Sequence, residues 1–73
     1  MFRFLDVVKW SGTQNAAEEK DIMVVEDVDE NYVTVRHLQS NQVSHEREIN
    51  LRYVGHCTSW ENIKDIINRY INS

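Results

Sequence analysis

The segment from Asp21 to Val54 constrains the fold of this chain more than any other. It holds three runs rich in apolar and β-branched residues: Ile22-Met23-Val24-Val25, Tyr32 to Leu38, and Val43 to Val54. Two short polar breaks divide them, Asp27 to Asn31 and Gln39 to Gln42. β-Branched residues fit the pleated surface of a sheet, and short polar breaks between such runs favour hairpins. The segment therefore reads as an antiparallel meander. Ile22 to Val25 is apolar without alternation, which predicts a strand buried on both faces. Asn41 can take the positive φ that a tight turn at Ser40-Asn41 requires. From Val43 to Val54, odd and even positions separate cleanly, which predicts one long strand with a core face and a wet face.

The flanks complete the architecture. Phe2 to Trp10 reads as a first strand, with turn-forming residues at Ser11 to Asn15 and a long, mobile loop over 11–20. After Gly55-His56-Cys57, Thr58 and Glu61 have the spacing of a capping box. Trp60, Ile63, Ile66, Ile67, Tyr70 and Ile71 then recur at helical spacing. The expected fold is α+β, mainly β, in one domain spanning 1–73. It is a four- to five-stranded antiparallel meander with strands at about 2–10, 21–28, 32–38 and 43–54, and one C-terminal amphipathic helix at about 59–71.

The order of strand, long loop and hairpin-linked strands resembles small SH3-like barrels. The residues that carry the resemblance are Phe-x-x-x-Asp-Val-Val from Phe2, then Ile-Met-Val-Val-Glu-Asp-Val-x-x-x-x-Val-x-Val from Ile22. It covers about residues 2 to 54. The resemblance implies a protein-, RNA- or methyl-lysine-binding module and does not choose among them. The third strand lacks the paired aromatics of a proline-peptide groove. An open four-stranded sheet with the helix across one face uses the same strand pattern.

A chain of 73 residues buries only roughly 60% of its unfolded surface. Its single cysteine, Cys57, cannot form an internal disulfide, so packing or self-association must supply stability. A lone cysteine and the absence of a signal pattern predict an intracellular, cytoplasmic setting. No run approaches the ~20 apolar residues of a membrane span.

Twelve acids oppose eight bases, and the excess is concentrated. Residues 18–30 hold seven acids and one base, a net of −6, while the remainder is net +2. Such a field favours a basic partner surface over phosphates.

Chemistry-bearing clusters are sparse. His56 and Cys57 are neighbours on an extended segment and point apart, so His56 is badly placed to activate the thiol. His37, His45, His56 and Cys57 lack metal-ligand spacing. Glu26, Asp27, Asp29 and Glu30 lack the spacing of a calcium loop and read as one solvated turn. No Gly-rich phosphate loop exists. The chain is therefore read as a non-enzyme without cofactor or metal.

His45 and Arg47 fall on the face assigned to the core. They mark either a polar contact spot or a strand end that passes beyond the core. The primary reading is a small acidic protein-interaction module, an accessory regulator or inhibitor of microbial or viral type. It would bind a basic protein surface through Trp10, Glu26, Asp27, Asp29, Glu30 and Tyr32. The alternative is a nucleic-acid-binding module using Lys9, Arg36, Arg47, Arg52 and Tyr53. Homo-oligomerisation through the helix face or a free strand edge is a third reading.

Overall fold

The computed structural model describes residues 1–12 and 21–58, together with Asp65 and Asn68. Five strands form one antiparallel sheet: β1 (Asp6–Trp10), β2 (Met23–Val28), β3 (Val33–His37), β4 (Val43–Glu46) and β5 (Leu51–His56). Their spatial order is β4-β3-β2-β1-β5. The first four strands follow one another as a meander, and β5 returns to the far edge beside β1.

Two expectations are corrected here. The described elements are five strands and one 3-10 turn, so the fold is a small antiparallel sheet rather than an α+β unit with a C-terminal helix. The stretch expected to be helical, about 59–71, lies outside the described residues except for Asp65 and Asn68. A stripe of about a dozen residues is at the lower limit for helix formation without tertiary support, so spacing alone does not establish an element.

The second correction concerns 43–54, which is two strands rather than one. A 3-10 turn at Glu48–Asn50 separates β4 from β5. The break reverses the expected faces. In β4 the residues directly opposite the core valines are even-numbered: Ser44 faces Val35 and Glu46 faces Val33. Val43, His45, Arg47 and Ile49 point to solvent, Ile49 with 81% of its surface exposed. Leu51, after the turn, is buried at 6%. Alternation continued through the break in sequence while the backbone changed register.

β2 occupies the middle of the sheet, and its first half, with Ile22 just before it, is buried on both sides. Ile22, Met23, Val24 and Val25 are all fully buried. Their side chains divide between two clusters. Val8, Met23, Val25, Val33, Val35 and Leu51 form one, with Phe2 and Trp10 against it. Leu5, Val7, Ile22, Val24 and Cys57 form the other, with Leu38 and Val54 against it.

β1 is shorter than the sequence suggests because Arg3 to Leu5 turns before it. The Asp6 amide donates to the Arg3 carbonyl at 3.0 Å, and Leu5 takes φ 72°. A leucine in that region is strained by ~1–2 kcal/mol. Its amide donates to the Val25 carbonyl, its carbonyl accepts from the Cys57 amide, and its side chain is buried. These ties hold the strained conformation.

The β3–β4 hairpin closes as its residues require. Asn41 takes φ 61°, its amide donates to the His37 carbonyl, and the His37 amide donates to the Gln42 carbonyl.

Leu51→Ala is expected to cost about 2–5 kcal/mol, as for other buried leucines. Ile49→Ala is expected to stay within about 0.5 kcal/mol. Urea unfolding of the two variants checks the break at Glu48–Asn50. Equal losses would restore a single continuous strand.

Candidate functional site

The turn between β2 and β3 and the outer face beside it bring together Asp27, Asp29, Tyr32, Thr34 and His45. Its geometry begins with a β-bulge. The β2–β3 register pairs Val25 with Val35 but Asp27 with Thr34, so Glu26 is the extra residue. An extra residue reverses which face the following side chains occupy. Without it, Asp27 would follow Val25 onto the core face. With it, Asp27 lies directly across from Thr34 on the outer face, and Thr34 lies across from His45. A three-strand row results. The Thr34 hydroxyl and His45 Nδ1 are hydrogen-bonded at 2.9 Å.

Asp27, Asp29, Tyr32, Thr34 and His45 line a shallow groove of about 380 Å³. Tyr32 also borders a neighbouring recess with Asn31 and Arg47. The turn is set by the Asp29 amide, which donates to the Tyr32 carbonyl at 2.8 Å. The Asp27 carboxylate accepts from the Val28 amide and the Asp29 carboxylate from the Glu30 amide. Asp27, Asp29 and Glu30 remain exposed. Tyr32 exposes 45% of its surface.

The structure separates several residues that the sequence reading grouped. Glu26 is not part of the exposed acidic surface, because its carboxylate accepts from Arg36 Nε across the bulge. Trp10 lies at the opposite end of the sheet. Its ring packs half-buried against the core, and Nε1 donates to Asp21 Oδ2 at 2.9 Å. Asp21 and Asp27 are separated by about 20 Å of extended chain. Trp10 and the acidic turn therefore do not form one surface.

The proposed basic surface is dispersed as well. Arg36 is held by Glu26 and by the Asn41 carbonyl and side-chain oxygens. Lys9 and Arg52 face each other on β1 and β5. Those strands are separated from β3 and Arg36 by β2. Arg47 and Tyr53 are exposed, the first beside Tyr32 and the second on β5.

Sequence reasoning missed a second polar cluster, at the Trp10 end. His37 Nδ1 lies 2.9 Å from Asp21 Oδ2, and His37 Nε2 lies 2.7 Å from Ser44 Oγ. The Trp10 and His37 rings are 6.2 Å apart. Hydroxyl, imidazole and carboxylate thus follow the order of a hydrolytic triad. Acyl transfer also needs amides converging on the developing oxyanion. Ser44 projects from the middle of a strand, where successive amides point alternately to either side. The arrangement instead ties four segments together over the open end of one core cluster. The sequence signal was the i, i−2 relation of Asp21 to Met23, which places both on one face.

Asp6 is the other buried tie. Its carboxylate, on a residue only 2% exposed, accepts from the Arg3 amide at 2.7 Å and contacts His56 Nδ1 at 2.7 Å. His56 stands directly across from Asp6, so the contact anchors β5 to β1. Cys57 is buried beside it, and burial raises its thiol pKa. A thiol held protonated is a poor nucleophile. Among the described residues, no group of three metal-binding side chains converges. No helix there is long and apolar enough to cross a membrane.

Comparison of the chain with known protein families, with curated proteins and with solved structures finds no match.

His37→Ala removes one of the two side chains bonded to Asp21 and the partner of Ser44. It is expected to lower stability by about 1–3 kcal/mol. Thermal unfolding reads the loss. No change would show that the cluster does not tie the sheet.

Proposed function

We propose that this chain is a small protein-interaction module that binds a basic surface on another protein through Asp27, Asp29, Glu30 and Tyr32. The observation that carries the reading is the bulge at Glu26, which turns Asp27 outward beside Tyr32, Thr34 and His45. Exposed carboxylates around a half-exposed aromatic suit a lysine or arginine: charge steers the encounter and the ring offers a cation–π face. In this role the module is an accessory regulator or inhibitor, its carboxylates occupying a site that phosphates would otherwise fill. The free, buried Cys57 accords with a reducing, intracellular setting.

The nucleic-acid reading is weaker on two observations. Arg36 is already engaged by Glu26 and Asn41. The formal net charge is −4, unfavourable for approach to phosphates.

The test is affinity capture of the partner with the unaltered chain and with a variant carrying Asp27→Lys, Asp29→Lys and Glu30→Lys. These positions are exposed, so folding is expected to persist, which the melting temperature verifies. Capture is expected to be lost in the variant. Retained capture by a folded variant would overturn the reading.

A further inference from the structure

We infer that the module takes its basic partner as an extended strand added to the free edge of β4, with a lysine or arginine of that strand lying over the groove. This rests on the binding reading above and adds the conformation of the partner. Three features of the fold lead to it.

First, β4 is one of the two edge strands of the sheet and, among the described residues, pairs only with β3. Alternate residues of an edge strand direct their N–H and C=O groups away from the sheet, ready for another chain. β4 is four residues long, regular, and without proline.

Second, the groove opens onto that edge. The row Asp27, Thr34, His45 runs across β2, β3 and β4 and ends at β4. A strand paired with β4 places its own side chain next in the row, with its Cβ about 4.5–5.5 Å from that of His45. A long cationic side chain there lies over His45 and Thr34 and points toward Asp27, Asp29 and the exposed Tyr32 ring.

Third, charge selects the occupant. Asp27 and Asp29 line the groove, and Glu46 ends β4. A second copy of this chain carries the same net charge of −4. Two surfaces of like net charge repel, which disfavours self-pairing. The occupant is therefore a basic segment of a different protein. Main-chain bonds would supply affinity and the alternate side chains specificity, as in other strand-addition complexes.

The test titrates the isotope-labelled chain with three short synthetic peptides, followed by amide chemical shifts. One alternates lysine with valine and threonine. The second has the same lysines but a central proline in place of valine, which cannot complete the strand ladder. The third replaces each lysine by glutamate. The first peptide is expected to shift the amides of Val43 to Glu46 together with Asp27 to Tyr32 and to slow exchange of the outward β4 amides. The proline peptide is expected to bind about tenfold more weakly or less, and the glutamate peptide not at all. Equal binding of the lysine and proline peptides, with shifts confined to Asp27 to Tyr32, would overturn strand addition and leave the acidic-surface reading standing. Failure of both lysine peptides to bind would overturn both readings. A dimer of the chain alone with protected β4 amides, seen by sedimentation and exchange, would overturn the choice of occupant.

Discussion

The described structure depends on the burial of Ile22 to Val25 on both faces of the sheet. Burying one such side chain is worth about 1.5–3 kcal/mol, so the four together contribute on the order of 10 kcal/mol before entropy is counted. That equals the whole net stability of many small domains. A run without alternation can meet this condition only as a central strand with apolar partners on either face. β2, with Ile22 entering it, is that strand: Met23 and Val25 enter one core cluster, Ile22 and Val24 the other. β1 and β3 lie on either side of it, and β4 and β5 form the edges.

Polar ties then fix what burial leaves open. Asp6 and His56 attach β5 to β1, while Asp21, His37 and Ser44 join the segment entering β2 to β3 and β4 at one end of the sheet. Arg36 joins Glu26 on β2 to Asn41 in the next turn. A buried polar group left without its partner is costly, so each tie selects one register. The bulge at Glu26 connects this framework to the surface. The residue that breaks the register also supplies the carboxylate for Arg36, and Asp27, Thr34 and His45 align on the outer face as a result. One inserted residue thus stabilises the hairpin and builds the groove.

The sheet itself was legible in the sequence because apolar runs and turn residues act locally. Ile22 to Val25 announced two-sided burial, and Asn41 announced a positive φ. The acidic turn was legible from its charge, and Tyr32 from its position beside it. What escaped was register. A bulge at Glu26 leaves no mark in composition, so Glu26 looked like one more surface acid and Trp10 like a neighbour of the turn. The 3-10 turn at Glu48–Asn50 was hidden because Ile49 and Leu51 keep a spacing of two across it. That hid the transfer of β5 to the far edge, and with it the dispersal of Arg36, Arg47 and Arg52. The Asp21–His37–Ser44 cluster joins residues as many as 23 positions apart, a proximity created only by pairing of the strands.

The central claim is that Met23 to Val25 of β2 are the buried axis of the described sheet and β4 one of its edges. Native-state amide hydrogen exchange, residue by residue, measures this directly. The account predicts that Met23, Val24 and Val25 exchange only through global unfolding, while the β4 amides exchange through small local openings. Protection of β4 equal to that of β2 would contradict it, because the edge would then be covered and the groove beside it closed to a partner strand.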